Sequence, residues 1–272
     1  MRTDSEPVSP QAVSQLRIDV RNHPGETGRL PLVLLPGIGA SLDLYEDFRA
    51  ALPGRPSVGL DPPGVGGSPL GRYPSTMSGY ADACVEALDQ AGIEHFDLLG
   101  LSWGGALAQE LTLRHPQRVR RLVLVATMFG IGALPGDPVA MSILATPWRY
   151  YSPTYLRMVA PLLYGGAIRS DPGLLDRQAY LRHRNAPDPM AYCAQLQAVM
   201  MWSSGLRLRH LHQSTLIMAA NDDPIINTGN AHIMQRLLPN ARLEIVQGGG
   251  HLFLMTAPQQ TAASVTQFLD EP

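Results

Sequence analysis

The sequence predicts one α/β domain: a doubly wound, mostly parallel sheet with helices on both faces. Three observations carry this expectation. Short apolar runs alternate with amphipathic stretches along most of the 272 residues. The runs are continuous rather than alternating, as in strands covered on both faces. The alternation stops once, between about residues 130 and 210, where prolines and aromatic residues crowd together.

Taken in order, "SQLRIDV" alternates apolar and polar residues and suits an exposed edge strand, whereas "PLVLLPG" (31–37) and "SVGLD" (57–61) read as buried strands. "TMSGYADACVEALDQAG" (76–92) sets Tyr80, Cys84, Ala87, Leu88 and Ala91 on one helical face and stops at Gly92. "FDLLG" (96–100) is a strand, and "ALAQELTLRHP" (106–116) a helix closed by Pro116. "RLVLVAT" (121–127), "TLIMAA" (215–220) and "RLEIVQ" (242–247) continue the strands. "HIMQRLLPN" and "QTAASVTQFLD" supply the later helices. The interrupted segment holds six of the nine tyrosines and two of the three tryptophans, and reads as several short helices inserted as a cap. The expected organisation is core over 1–129, insertion over 130–210, and core again over 211–272.

Composition narrows the chemistry. Hydrophobic residues make up 45% of the chain, enough for a substantial core, and a formal net charge of −2 gives no reason to expect nucleic acid as partner. All 21 basic residues are arginine, so Schiff-base, lysine-bound pyridoxal and P-loop chemistry are excluded. Cys84 and Cys193 lack metal-like spacing and are expected as two buried free thiols; no metal and no cofactor are expected. The polar "MRTDSEPVSPQAVSQL" has no signal-peptide core, and no apolar stretch is long enough for a membrane span, so a cytoplasmic protein is expected.

The chemistry concentrates in three loops. Gly100-Leu101-Ser102-Trp103-Gly104 fits G-x-S-x-G, and it lies between a strand and a helix. A sharp turn there lifts a serine hydroxyl above the sheet edge, making Ser102 a candidate nucleophile. The N–H of Trp103, at the start of the helix, can face a developing oxyanion, and Ile38 in "PGIGAS" (36–41) is the candidate for a second donor. That glycine loop does not suit a dinucleotide, because position 42 is leucine and Asp61 opens a proline-glycine turn. A serine nucleophile requires a base and an orienting acid, in the chain order Ser, Asp or Glu, His. His251 in "GGGHLF" follows the last strand, on a glycine loop read as flexible. Of the two acids in "NDDPI", Asp223 is favoured because Pro224 biases it towards an extended backbone, leaving Asp222 to cap the turn or face solvent.

These residues resemble the α/β-hydrolase superfamily over essentially the whole chain. "PGIGAS", "DPPGVGGS", "GLSWGGALAQE", "ATPWRYYSPTYLRMVAPLLYGGAIRSDP", "NDDPIIN" and "GGGHLFLMT" look like the intracellular medium-chain-length poly(3-hydroxyalkanoate) depolymerases. The resemblance implies an eight-stranded, mostly parallel sheet with a helical lid after the sixth strand. It also implies Ser102, Asp223 and His251 as catalytic triad, ester hydrolysis in a hydrophobic polyester, and association with storage granules. Trp148, Tyr164 and Trp202 are expected to line the substrate site. Two other readings stay open at this stage: a general carboxylesterase or lipase, and a haloperoxidase-like or carbon–carbon bond hydrolase using the same triad.

Overall fold

The computed structural model describes residues 16–22, 28–52, 54–69 and 76–271. Seven strands form one sheet: β1 (Ile18–Arg21), β2 (Leu32–Leu35), β3 (Ser57–Leu60), β4 (Phe96–Leu101), β5 (Val119–Val125), β6 (Ser214–Ala220) and β7 (Ala241–Val246). Their spatial order is β1-β3-β2-β4-β5-β6-β7, and β1 alone runs antiparallel. The expected eighth strand is not among the described residues. The six apolar runs and the alternating "SQLRIDV" segment each form one strand, seven in all among the described residues. The helical insertion therefore follows the fifth described strand.

The continuous apolar runs have the predicted cause. Leu32, Leu34, Leu99, Leu101, Val123, Val125, Leu216 and Met218 pack into a core on one face. Val33, Leu35, Leu98, Leu122, Leu124 and Ile217 pack into a second core on the other. Residues of alternate parity thus serve opposite cores, which is why apolar residues follow one another without alternation along most of each central strand.

The core helices are α1 (Glu46–Ala50), α2 (Met77–Gln90) and α3 (Trp103–Arg114) before the insertion, and α9 (Gly229–Leu237), α10 (Phe253–Thr256) and α11 (Pro258–Leu269) after it. Tyr80, Cys84, Ala87 and Leu88 of α2 are buried as the helical spacing requires. Cys193 is a correction: it is exposed, whereas Cys84 is buried and its thiol is pushed up to about 12 by that burial.

Between β5 and β6 lie α4 (Pro138–Leu144), α5 (Trp148–Tyr151), α6 (Pro153–Tyr164), α7 (Pro172–Arg184) and α8 (Pro189–Met200). Four of the eight prolines between residues 130 and 210 are helix starts. Asp137-Pro138, Ser152-Pro153, Asp171-Pro172 and Asp188-Pro189 each place a capping side chain before a proline at the first helical position. A side-chain oxygen takes the free N–H groups of the first turn, and proline has no N–H there to leave unsatisfied.

Register aligns the strand ends. Leu35 pairs with Gly100, Leu101 with Val125, Val125 with Met218, and Ala220 with Val246. The loops after β2, β4, β6 and β7 consequently leave the sheet at one edge, the carboxyl edge where open α/β sheets bind ligands.

Candidate active site

Ser102 sits in the turn from β4 to α3 with φ 56° and ψ −118°, a left-handed backbone that costs a serine on the order of 1–3 kcal/mol. The surroundings hold it there. Its N–H donates to the Val125 carbonyl at 2.8 Å, and its carbonyl accepts from the Thr127 hydroxyl at 2.7 Å and the Gly105 N–H at 2.9 Å. Gly104 is required for close approach: a methyl there would collide with the Leu35 and Pro36 carbonyls, so α3 rests directly on the end of β2.

The loop after β2 comes alongside. Gly37 lies so near that a methyl on it would be 3.6 Å from the Ser102 Cβ, and Ile38 and Trp103 border the same cavity as Ser102. Trp103 is the first residue of α3, where backbone N–H groups lack intrahelical acceptors and the helix dipole favours negative charge. Asp61 does not grip a ligand. It is fully buried, accepts from the N–H of Leu42 at 2.7 Å and of Gly67 at 3.0 Å, and pairs with Arg17.

Asp223 and His251 meet at the same edge. His251 Nδ1 and Asp223 Oδ2 are 2.8 Å apart, with both side chains almost fully buried. The other carboxylate oxygen of Asp223 accepts from the N–H groups of Ile225 at 2.8 Å and Ile226 at 3.0 Å. Each oxygen therefore has a fixed partner, and one points at the imidazole. Ser102 and His251 border one small cavity.

The glycine run before His251 is not slack. His251 N–H donates to the Tyr164 carbonyl at 2.7 Å. A methyl on Gly250 would strike the Tyr164 carbonyl, and one on Gly166 would strike the Gly250 nitrogen. The "YGG" at the end of α6 and the "GGG" before His251 are two backbones pressed together, so the loop expected to be flexible is clamped by the insertion. Asp222, expected to cap or face solvent, ties the same two parts: it accepts from the Gly166 N–H at 2.7 Å and pairs with Arg169 at 2.6 Å. Burial opposes ionisation of Asp222, but that N–H and the Arg169 guanidinium outweigh it and hold the carboxyl below its ordinary range.

A cavity of about 320 Å³ opens beside Ser102, lined mainly by Ile38, Ala106, Met128, Leu144, Leu196, Val199, Ile225 and Ile226. Its mouth carries exposed apolar side chains from Ile131, Leu134, Met141 and Met200. The aromatic residues expected to line it do not. Trp148 is 62% exposed and borders neither cavity. Trp202 is buried elsewhere, its indole N–H donating to Glu110 at 2.8 Å. Tyr164 borders the smaller cavity on the His251 side. Aromatic rings in the insertion serve packing instead: Tyr150 and Tyr192 stack edge to face at 6.1 Å around Arg149.

Sequence reasoning missed Gln195. Its side-chain oxygen accepts from the Gly39 N–H at 2.8 Å, and its backbone carbonyl accepts from the Trp103 indole at 2.9 Å. One residue of α8 thus braces both the Ile38 loop and the start of α3. A lone glutamine within a helix carries no motif, and its partners lie 156 and 92 residues away.

Residues 31–164 match the family model described as the alpha/beta hydrolase fold. A poly(3-hydroxyalkanoate) depolymerase of Ectopseudomonas oleovorans is 37% identical over 249 residues, covering 91% of this chain and 87% of the relative. This chain belongs to the α/β-hydrolase family. A 2-hydroxymuconate semialdehyde hydrolase of Pseudomonas putida is 28% identical over 221 residues, covering 74% of this chain and 71% of that relative. Among solved structures, the enol-lactonase of Burkholderia xenovorans LB400 superposes with a TM-score of 0.81 at 19% identity, covering 94% of this chain and 96% of that one, a likeness of fold. The match to the depolymerase spans the insertion as well as the sheet.

Proposed function

We propose that this hydrolase is a serine esterase acting on a hydrophobic polyester, with medium-chain-length poly(3-hydroxyalkanoate) as its substrate class. The observation that carries the reading is a strained serine at the elbow, opening on an apolar cavity beside a histidine already oriented by a buried aspartate. Asp223 fixes the His251 ring so that Nδ1 keeps its proton and Nε2 is free to act as base. The Ser102 hydroxyl passes its proton to Nε2 as Oγ attacks the ester carbonyl, and the N–H groups of Ile38 and Trp103 hold the oxyanion. Collapse breaks the carbonyl–alkoxy bond, and the alcohol departs with the proton from His251. Water, deprotonated by the same imidazole, then releases the acid from Ser102.

The polyester part of the proposal draws on the apolar character of the cavity and its rim, and on the similarity to the depolymerase. An alkyl side chain of about five methylenes entering the cavity contributes roughly 4 kcal/mol, at ~0.8 kcal/mol each. The exposed Ile131, Leu134, Met141 and Met200 would seat against a hydrophobic polymer particle, extending the proposal to granule-associated action inside the cell. The test sets a chain-length series of soluble esters beside dispersed medium-chain polyester. Clearing of the dispersion with release of 3-hydroxy acids is expected; turnover confined to short esters would return the protein to the general carboxylesterases.

A further inference from the structure

Next to the catalytic serine lies a second, much smaller cavity, and its charge balance is unusual. It measures about 30 Å³, room for roughly two water-sized groups, and is bordered by Ser102, His251, Arg149, Arg182 and Tyr164. Arg149 and Arg182 are 3% and 5% exposed. Arginine stays charged in proteins, and a buried charge without a counter-ion is strongly unfavourable. Among the described residues neither guanidinium pairs with a carboxylate. Arg149 donates to the Thr146 carbonyl at 3.1 Å and the Tyr192 hydroxyl at 2.7 Å, and Arg182 donates to the Tyr150 hydroxyl at 3.1 Å.

The tyrosines do not supply the missing charge. Tyr192 donates its own proton to the Leu144 carbonyl at 2.5 Å, and Tyr150 donates to the Ile38 carbonyl at 2.6 Å, so both hydroxyls are protonated. Burial pushes the Tyr192 hydroxyl up to about 12. Ring faces offset part of the cost, with Arg149 4.7 Å from the Tyr150 centroid and Arg182 5.0 Å from that of Tyr164. Among the described residues, three fully buried donor atoms of these side chains also have no acceptor: Nε of Arg149, Nε of Arg182 and the hydroxyl of Tyr164. Two buried positive charges without a carboxylate partner beside a space of this size specify a small anion.

Position decides which anion. The large apolar cavity is bordered by Ser102 but not by His251, whereas the small one is bordered by both. His251 must reach the departing alkoxy oxygen to protonate it, so the alcohol portion of the ester lies on the small-cavity side. We propose that Arg149, Arg182 and Tyr164 form a carboxylate-binding subsite for the alcohol portion, which selects an ester whose leaving group ends in a free acid. This rests on the esterase reading above. In a polyester of 3-hydroxy acids such a leaving group exists at the acid terminus, so the enzyme removes units from that end. The Arg182–Tyr150–Ile38 hydrogen-bond chain also connects the bound carboxylate to the oxyanion loop.

The test compares the linear dimer of 3-hydroxyoctanoate, carrying its free carboxylate, with the same dimer capped as a methyl ester. Hydrolysis of p-nitrophenyl octanoate serves as the neutral control. Expected is a preference of tenfold or more in kcat/KM for the free-acid dimer, carried mainly by KM, and its collapse in Arg182→Gln when the ratio is taken within the variant. Equal turnover of the two dimers by the native enzyme, alongside active hydrolysis of the control, would overturn the subsite and spare the esterase. Should no ester be cleaved at all, the esterase reading fails by itself, and binding decides the subsite. A rise in melting temperature with 3-hydroxyoctanoate but not with its methyl ester supports it, and equal responses refute it. This binding arm uses native protein and stands even where Arg182→Gln does not fold.

Discussion

Replacing Asp223 by Asn changes one atom of the carboxylate and reverses the tautomer of the base. In the native site one carboxylate oxygen accepts from the Ile225 and Ile226 N–H groups at 2.8 and 3.0 Å, and the other faces His251 Nδ1 at 2.8 Å. The amide oxygen must occupy the first position, because an NH₂ there would confront two donors. The NH₂ then faces Nδ1, which has to accept, so the ring proton moves to Nε2 and the base can no longer take the Ser102 proton. The active tautomer returns when the amide flips, which leaves two buried N–H groups unsatisfied at roughly 1–3 kcal/mol each. A total of about 2–6 kcal/mol confines the flipped form to between roughly 1 part in 30 and 1 part in 3 × 10⁴. The expected loss in kcat lies in that range, with KM for a soluble ester and the melting temperature little changed. Steady-state kinetics on p-nitrophenyl octanoate and calorimetry measure both. Retention of activity within fivefold of the native enzyme would refute the reasoning, as would a loss explained wholly by unfolding.

Other predictions follow from the contacts around the site. Gln195→Ala leaves the Gly39 N–H without its acceptor at a cost of about 1–3 kcal/mol, and should lower kcat on the order of tenfold while Ser102 still reacts with a fluorophosphonate probe. Gly166→Ala forces the insertion away from the Gly250 backbone, so calorimetry should show a melting temperature lower by several degrees, from overpacking of roughly 1–3 kcal/mol or more. Asp222 has a folded-state value lowered by Gly166 and Arg169, so its contribution is complete above the ordinary carboxylate range and disappears as acid titrates it through the lowered value. The melting-temperature gap between native protein and Asp222→Asn should therefore be constant near neutral pH and narrow as the pH falls below the ordinary carboxylate range; a gap independent of pH would contradict this. Trp148→Ala should leave ester kinetics within twofold, whereas Leu196→Trp, which fills the apolar cavity, should raise KM for octanoyl esters more than for acetyl esters.

The parts legible in the sequence are those set by local rules. The apolar runs of the central strands are continuous because residues of both parities are buried, and Gly104 in "GLSWGG" lets α3 rest on the end of β2 beside Ser102. Asp223 and His251 were reachable from their positions after β6 and β7. What stayed hidden depends on partners far along the chain. The three glycines before His251 read as flexibility, yet their use becomes visible when Gly165 and Gly166 of the insertion press against them. The aromatic residues of the insertion suggested a substrate surface, but Trp202 is held by Glu110 and Tyr150 by Ile38, and aliphatic and methionine side chains line the cavity instead. Four of the prolines that read as irregularity were capped helix starts, a signal present in the Asp-Pro and Ser-Pro pairs themselves.

The central claim is that Ser102 is the nucleophile of an ester hydrolase, and covalent trapping tests it most directly. Native protein treated with a fluorophosphonate should gain the mass of one adduct, and peptide mapping should place it on Ser102, with ester turnover lost in proportion. Ser102→Ala should neither label nor turn over ester. An adduct on another serine, or an alanine variant that hydrolyses octanoyl esters at the native rate, would contradict the account.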